Sequence, residues 1–243
     1  MSQSVKRAAR IIDSIAAEPK SVVRLAEEFA LHRSTMFREL QALEEVGYVR
    51  RRKDGTYALG FHLVALAQNS LESVDLREAA SDQLRRLHKV VGNTVHLAAL
   101  MESSIIYVDK VEDASGVRMY SRIGAPVRPH CSGVGKAILA NLDQAGRDAV
   151  LAATDWKKYT ESTITTRDQL DVELATIAEQ GWAADDGEFE DFVNCVAVPI
   201  TSSAGVVGAL SVTAIRMAHD LEQLKARIPL MQRTAAQISR ELG

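Results

Sequence analysis

The chain has 243 residues, of which 47% are hydrophobic and 25% are charged, and its formal net charge is −3. This composition is typical of a folded globular protein and excludes an intrinsically disordered chain. Two cysteines are too few for a disulfide framework, and neither a signal peptide nor an uninterrupted apolar span is evident. We therefore expect a cytoplasmic protein without a membrane partner.

The charge is distributed unevenly along the chain. Residues 1–60 carry 11 Lys and Arg against 8 Asp and Glu, a net of +3, and the remaining residues carry −6. A small basic head on an acidic body is typical of a polyanion-binding module joined to a second domain.

The basic head predicts three helices. The first spans residues 4–17, where apolar residues recur at helical spacing. The second spans residues 22–29 with Ser21 as its N-cap, and the third runs from an N-cap at Ser34 to Val46.

A β-hairpin follows the third helix. Tyr48 and Val49 favour a strand, Lys53-Asp54-Gly55-Thr56 is a strong turn signal, and "TYALG" forms the return strand. Three helices followed by a basic hairpin are the winged helix-turn-helix arrangement. In that arrangement the third helix is the recognition helix, whose N-terminal residues enter the major groove of DNA.

The candidate DNA contacts are polar or basic residues at the start of the third helix and on the hairpin. Hydroxyls suit phosphates and base edges, and arginine can bind guanine or phosphate. The alternative is an ordinary solvated charged face. The candidates are Arg33, Ser34, Thr35, Phe37 and Arg38 on the helix, and Arg50, Arg51, Arg52 and Lys53 on the hairpin.

Three stretches of the head resemble the N-terminal domain of the IclR family of bacterial transcriptional regulators. They are "SVKRAARIIDSIA", "RLAEEFALHRSTMFRELQALEEVGYVRR" and "DGTYALG". The sequence departs from the family at His32-Arg33, where Pro or Lys is frequent.

Residues 61–92 form a joint with helical apolar stripes in 61–67 and 75–92. By resemblance, this joint corresponds to the dimerising linker of the family. A helix that covers its own sheet is the alternative, and the two are compatible. We thus expect a DNA-binding domain at 1–60, a linker at 61–92 and an effector domain at 93–243.

The body predicts an α+β domain with a mainly antiparallel sheet, because its strands are grouped in hairpins with helices between them. It resembles the GAF/PAS-like effector domain of the same family. The predicted hairpins are 94–101 with 104–111 and 195–201 with 206–214, a further strand covers 116–124, and helices cover 134–141, 143–152, 167–180 and 219–242.

The motif "GAPVRPHCSGVGKAILA" (124–140) places glycines ahead of a helix, where free N–H groups can bind an anion such as a carboxylate. A phosphate-binding P-loop is the rival interpretation. It fails because His130 stands where that motif needs Gly and Ala137 where it needs Ser or Thr.

The resemblance implies an effector pocket for a small organic acid, either a simple carboxylate or an aromatic acid. The apolar residues of this pocket could instead be ordinary core residues, and its hydroxyls could simply hydrogen-bond to the strand backbone. The implied residues are Ser132, Gly133, Val134 and Gly135 at the turn, Asp185 and Cys195, Ser211 and Thr213, Met119, Val127 and Val193 as an apolar wall, and His130, with Arg118, Arg122 or Arg128 as a positive partner.

These features together predict a homodimeric or tetrameric regulator, such as a repressor, that binds near-palindromic double-stranded DNA under effector control. We expect no catalytic residues, no cofactor and no metal site. A DNA-tethered enzyme is the first alternative, but no catalytic pair at reactive spacing is found. A structural nucleoid-type binder without a ligand pocket is the second.

Overall fold

The computed structural model describes residues 3–72, 75–112 and 121–243. The chain divides into two compact units, residues 1–73 and 74–243. Within the described ranges no helix combines the length and apolarity needed to cross a membrane.

The first unit is a three-helix core with a small antiparallel sheet and a further helix. Its sheet has the order β1-β3-β2, so the predicted hairpin gains a third strand from the segment before the second helix. Its elements are α1 (Gln3–Ala17), β1 (Lys20–Ser21), α2 (Val22–Glu28), α3 (Arg33–Glu45), β2 (Val49–Arg51), β3 (Thr56–Leu59) and α4 (His62–Glu72).

The caps of this unit match the sequence prediction in one place and differ in another. The Ser21 side chain accepts a hydrogen bond from Arg24 N, so it caps α2 as predicted. The N-cap of α3 is His32 rather than Ser34, because the extended backbone ends at His32 (φ −65°, ψ 142°). Ser34 consequently lies inside the first turn of the helix.

The second unit is a five-stranded antiparallel sheet between two layers of helices. The strand order is β5-β4-β8-β7-β6. Its elements are α5 (Asp75–Val91), β4 (Thr94–Met101), β5 (Ser104–Val111), α6 (Gly133–Ala140), α7 (Gln144–Leu151), α8 (Arg167–Gln180), β6 (Ala183–Asp186), β7 (Val193–Ser202), β8 (Gly205–Ile215), α9 (Leu221–Lys225) and α10 (Ile228–Leu242).

Each face of this sheet has its own core. One face packs large aliphatic residues against α5, α9 and α10. The other face, against α6, α7 and α8, presents small residues such as Ala98, Ala197 and Ala209. Small side chains let the helix layer approach the strands closely, which determines the geometry of the site described below.

Local signals predicted several elements of the second unit well and others poorly. Helix α8 has the predicted bounds, with Thr166 as N-cap and Gly181 at φ 75° as C-cap. The predicted helix over 219–242 was wrong. It is α9 and α10, because Pro229 has no backbone N–H to donate and is accommodated only in the first turn of a helix.

Two further differences concern strands. Strand β6 was not among the predicted elements. The predicted strand over 116–124 lies largely outside the described residues, and its described end, 121–124, is not in a strand.

The closest backbone approach in this sheet yields a prediction for the substitution Gly208→Ala. The added methyl would lie 2.3 Å from Ala98 O and 2.5 Å from the Leu76 side chain, and the strand carbonyl cannot move away. We expect a loss of roughly 1–3 kcal/mol in the free energy of unfolding. Urea unfolding followed by tryptophan fluorescence reports on this unit alone, because both tryptophans, Trp156 and Trp182, belong to it.

The control is Gly146→Ala on α7, whose methyl would come no closer than 3.1 Å to a neighbour. It should leave stability unchanged or raise it slightly, since alanine favours a helix. Equal unfolding midpoints for the two variants would contradict the prediction.

Candidate functional sites

The first half of α3 presents a polar and basic surface. Arg33, Ser34, Phe37 and Arg38 are exposed and Thr35 is half-buried, while Met36 and Leu40 pack in the core. The Phe37 ring is 43% exposed, which is unusual for a residue whose only role is packing. The structure therefore places all five helix candidates where a ligand could reach them.

The backbone of the hairpin formed by β2 and β3 is held by one acidic residue of α3 and one of its own turn. Glu44 Oε1 accepts a hydrogen bond from Arg51 N (3.0 Å), and Asp54 accepts from the backbone and hydroxyl of Thr56. Arg50 lies 5.4 Å from the centroid of the Phe61 ring. All four basic candidates on this hairpin, residues 50–53, are exposed.

A row of polar side chains crosses the small-residue face of the second sheet. Asp185 on β6 pairs with Cys195 on β7, and Cys195 pairs with Thr213 on β8. Ser211, two residues from Thr213 on the same strand face, pairs with His96 on β4. The structure thus brings together four predicted residues from three strands, all of them buried.

The start of α6 lies directly over this row. A Cβ on Gly133 would be 2.9 Å from Cys195 Sγ and 3.3 Å from Ala197 Cβ, so only glycine permits this approach. The N–H groups of Gly133 and Val134 are among the donors that a helix start leaves outside the intrahelical ladder. The sequence motif predicted that these groups bind an anion.

The neighbouring residues of the turn have structural functions of their own. Ser132 Oγ accepts from Gly135 N (3.3 Å) and donates to Arg128 O (2.8 Å), so the hydroxyl caps the helix. A Cβ on Gly135 would lie 2.7 Å from Pro129 Cα, so packing alone explains that glycine.

His96 is a member of the site that the sequence analysis missed. Its Nε2 lies 2.7 Å from Ser121 Oγ, and its Nδ1 lies 3.3 Å from Thr213 Oγ1 and 3.5 Å from Ser211 Oγ. Burial lowers the pKa of His96 to about 3, with a smaller contribution from Lys110. The ring is therefore neutral, with one donor and one acceptor nitrogen. Nδ1 contacts both hydroxyls of β8, and Nε2 contacts Ser121.

A buried lysine on α6 brings charge to the same region. Lys136 Nζ, on a side chain that is 1% exposed, donates to Glu188 and more weakly to Glu173 at 3.3 Å. Burial opposes the charged lysine, but the attraction of Glu188, Glu173 and Asp185 together outweighs it and raises the pKa of Lys136. Burial also raises the pKa of Glu188, which Lys136 opposes.

Asp185 is connected to this pair through the loop after β6. Asp185 Oδ1 accepts a hydrogen bond from Glu188 N at 2.7 Å. Burial and, secondarily, the negative charge of Glu188 raise the pKa of Asp185 to about 7. The loop itself is fixed by Thr163 Oγ1, which donates to Glu188 O at 2.6 Å.

Both thiols near the site are protonated. Burial raises the pKa of Cys131 and of Cys195 to about 12, and Asp185 adds to both shifts. Neither sulfur is a thiolate nucleophile at physiological pH.

An arginine between two aromatic rings lies near the start of α6. The Arg128 guanidinium carbon is 4.4 Å from the Phe189 ring centroid and 5.2 Å from that of Tyr159, and Nε donates to Tyr159 OH (2.8 Å). Of the other two proposed positive partners, Arg122 is exposed and Arg118 lies outside the described residues.

His130 faces a loop rather than the polar row. Its ring lies 5.6 Å from Trp156 and its Nε2 is 3.3 Å from Lys157 O. Its buried Nδ1 has no hydrogen-bond partner in the described part of the chain, and neither has Glu188 Oε2. The structure does not bring His130 into contact with Asp185 or Cys195.

The predicted apolar wall divides into separate places. Val193 is buried on the same strand face as Cys195, two residues away. Val127 packs in the core beside α6, so its side chain serves that core, as does that of Val134 from the predicted turn. Met119 lies outside the described residues.

Two members of the site could have been suspected from the sequence. His96 is the single polar residue among apolar ones in "VHLAAL", and Lys136 is the single charge in "GVGKAILA". Glu188 had no comparable signal, because "DDGEFED" reads as an ordinary acidic loop. Across the described ranges, no three His, Cys, Asp or Glu residues cluster as metal ligands.

Comparison with known proteins finds a matching family model for each of the two units. The family described as bacterial transcriptional regulator IclR C-terminal matches residues 68–240, and the IclR helix-turn-helix domain matches residues 4–53. The HTH-type transcriptional regulator KdgR of Escherichia coli (strain K12) is 32% identical over 243 residues, covering 99% of this chain and 92% of KdgR. XynR of the same strain is 32% identical over 245 residues, covering 99% and 97%.

Solved structures show the same architecture. The crystal structure of the Thermotoga maritima IclR aligns with a TM-score of 0.82 at 32% identity, covering 98% of each chain. An IclR homologue from Microbacterium hydrocarbonoxydans, complexed with 4-hydroxybenzoate, aligns with a TM-score of 0.83 at 24% identity, covering 99% of each chain. The relatives are transcriptional regulators and not enzymes. This chain belongs to the IclR family of bacterial transcriptional regulators.

Proposed function

We propose that this regulator binds a near-palindromic operator as a cytoplasmic homodimer or tetramer and that a small organic acid controls the binding. Residues 1–60 contact DNA through α3 and through the wing, which is the hairpin of β2 and β3. Residues 61–92 link the two domains and dimerise, and residues 93–243 bind the effector. The observation that carries the proposal is the polar row of Asp185, Cys195 and Thr213 beneath the start of α6.

The groups at this row suit a carboxylate. The N–H groups at the start of α6 and the hydroxyls of Ser211 and Thr213 are hydrogen-bond donors, and Val193 supplies an apolar wall beside them. Glu188 Oε2, buried and without a partner among the described residues, can accept a hydrogen bond from an effector hydroxyl. Arg128 is our preferred positive partner, because its aromatic neighbours hold it near the turn.

Relatives support an organic acid as the chemical class. The homologue from Microbacterium hydrocarbonoxydans is complexed with 4-hydroxybenzoate, which is a carboxylate. A relative from Salmonella typhimurium, 32% identical over 200 residues, is named the acetate operon repressor. A nucleoid-type binder without an effector is the competing possibility, and the first experiment below separates the two.

Effector control predicts reciprocal linkage between the two ligands. An acid that raises the melting temperature of the protein should change its affinity for the duplex from its own upstream region, by about 5- to 150-fold. The same duplex must change the affinity for that acid by the same factor. The measurements are thermal shifts over an acid panel and fluorescence anisotropy of the labelled duplex with and without each active acid.

A scrambled duplex is the control for this experiment, because linkage through the operator should not appear with it. An active acid that leaves operator affinity unchanged would contradict effector control. A panel without any active acid would favour the nucleoid-type alternative.

Placement of α3 in the major groove predicts different effects for two arginines. Arg38→Ala should weaken specific binding by roughly 1–3 kcal/mol and reduce the preference over a scrambled duplex. Arg51→Ala on the wing should weaken both duplexes alike and lower the salt dependence. Arg233→Ala, an exposed arginine on α10 outside the proposed dimerising segment, is the control that should change neither. Unchanged operator affinity in Arg38→Ala would show that α3 does not read the bases.

The protonation of Asp185 bears on the choice of an anionic effector. At neutral pH its carboxyl is about half protonated, so only part of the population repels a carboxylate. The groups that face it are Glu188 and Lys136 from the β6–β7 loop and α6, with the protonated side chains of Cys131, Cys195 and Tyr107 around them. A buried carboxyl group in this setting makes folding depend on pH.

The sign of that dependence follows from the two pKa values of Asp185. The pKa of Asp185 is about 7 in the folded protein, against an ordinary value of 3.8. The contribution of Asp185 to the free energy of unfolding is therefore complete below pH 3.8 and is lost as the pH rises to 7. Asp185→Asn keeps the acceptor for Glu188 N and cannot ionise. Between pH 5 and 7.5, wild type should therefore lose at most about 3 kcal/mol relative to this variant.

Urea unfolding followed by tryptophan fluorescence at each pH measures this loss. Asp186→Asn, at the exposed neighbouring position, should retain the wild-type pH dependence. Parallel pH profiles for wild type and Asp185→Asn would contradict the assignment of the proton to Asp185.

A further inference from the structure

Helix α1 carries a row of polar and cationic side chains on one face. Gln3, Lys6, Arg7 and Arg10 recur at helical spacing, while Ile11 and Ile15 face the core of the unit. Lys6 and Arg10 are exposed and Arg7 is half-buried. None of the candidate DNA contacts described above belongs to this helix.

This face forms one wall of a groove of about 430 Å³. Glu28 and the turn after α2, residues 29–31, form the other wall. The Arg10 guanidinium carbon lies 5.3 Å from the centroid of the Phe29 ring across the groove. That cation–π contact holds a positive charge at the groove wall.

The acidic groups at the groove are already neutralised by cations of the same unit. Glu28 accepts hydrogen bonds from Lys20 Nζ (2.8 Å) and Ser14 Oγ (2.8 Å). Arg7 Nε donates to Glu39 Oε1 (2.8 Å) on α3. The charges of Lys6 and Arg10 are therefore in excess, and the groove favours an anion.

The groove is continuous with the proposed recognition helix. The turn at residues 29–31 leads directly to His32, the N-cap of α3, and the Arg7 partner Glu39 is the neighbour of Arg38. In helix-turn-helix proteins the recognition helix lies in the major groove while the first helix of the motif, here α2, crosses the backbone. The turn that ends α2 forms the wall of the groove opposite α1. A polyphosphate strand beside α3 would thus meet this face of α1.

The geometry points to the α1 groove as a DNA contact in addition to α3 and the hairpin, in which Lys6 and Arg10 bind the phosphodiester backbone that flanks the segment read by α3. The inference rests on the proposed function in so far as α3 enters the operator. Since phosphates are common to all sequences, this contact adds affinity without specificity.

The test is the salt dependence of binding by Lys6→Ala, Arg10→Ala and the double variant. The probes are the upstream duplex and a scrambled duplex of equal length, measured by anisotropy from 50 to 200 mM salt. Each substitution should lower the slope of log affinity against log salt by about one. The ratio of wild-type affinity to variant affinity should accordingly fall by roughly three- to fourfold per removed cation from 50 to 200 mM salt, equally for both duplexes.

Two controls separate a phosphate contact from general effects. Arg233→Ala and Arg240→Ala remove exposed cations from α10 in the second unit, outside the proposed dimerising segment, and should keep the wild-type slope. Arg10→Lys should keep it as well, because the charge is retained even though the stack on Phe29 is altered. Circular dichroism melting of each variant verifies that the first unit remains folded.

An unchanged slope in both α1 variants would overturn the inference. Where wild type still prefers the upstream duplex and Arg38→Ala loses that preference, the proposed function survives this result. If wild type does not prefer the upstream duplex, the proposed function fails. The salt slopes measured on the scrambled duplex then still show whether the α1 groove binds phosphates. A change of sedimentation mass with an unchanged slope would assign the groove to a second copy of the chain and would likewise overturn the inference.

Discussion

The close contact between the first turn of α6 and the sheet is the constraint on which the second unit depends. Gly133 permits it, since any Cβ there would collide with Cys195 Sγ at 2.9 Å. Because α6 lies so near the strands, Lys136 is buried and needs the carboxylate of Glu188 as its partner. That ion pair fixes the loop after β6, and the loop amide of Glu188 in turn holds Asp185. One glycine contact thereby positions helix donors, hydroxyls and an acid around a common point.

The cost of burying charged groups limits how much this polar arrangement can stabilise the fold. Desolvating Lys136 and Glu188 costs free energy that their attraction must offset, so a buried pair is weak evidence for a stabilising role. Asp185 reduces the cost by retaining its proton up to a pH of about 7. A purely structural core would be served better by apolar residues of the same size. The polar row is consequently easier to explain as a binding surface than as a device for folding.

Local signals in the sequence predicted the elements whose ends depend on neighbouring residues. Thr166 and Gly181 bound α8 as predicted, and the wing turn at Asp54 closes as its sequence indicates. The break between α9 and α10 shows the opposite case. Apolar periodicity continues across it, and the break depends on Pro229, which has no N–H and lies in the first turn of α10.

The candidate site was predictable only in part. Resemblance supplied Asp185, Cys195 and Thr213, and the strand registers place them side by side. His96 escaped because its partner Ser211 is 115 residues away and no local pattern encodes which strands pair. Glu188 escaped for a similar reason, since its partner Lys136 is 52 residues away. Contacts of this kind depend on sheet order, which alternating hydrophobicity does not specify.

The two proposed sites use charge in opposite physical regimes. On the first unit the cations of α1, α3 and the wing are exposed, so each interaction with a polyanion is weak and screened by salt. In the second unit a few groups are buried, where salt has little effect but a single proton on Asp185 changes the local charge. Ionic strength should therefore modulate DNA affinity with little effect on effector affinity. A change of pH near 7 should modulate effector affinity with little effect on DNA affinity. A regulator built in this way can respond to a metabolite without its sensing site being disturbed by the ionic conditions that govern its grip on DNA.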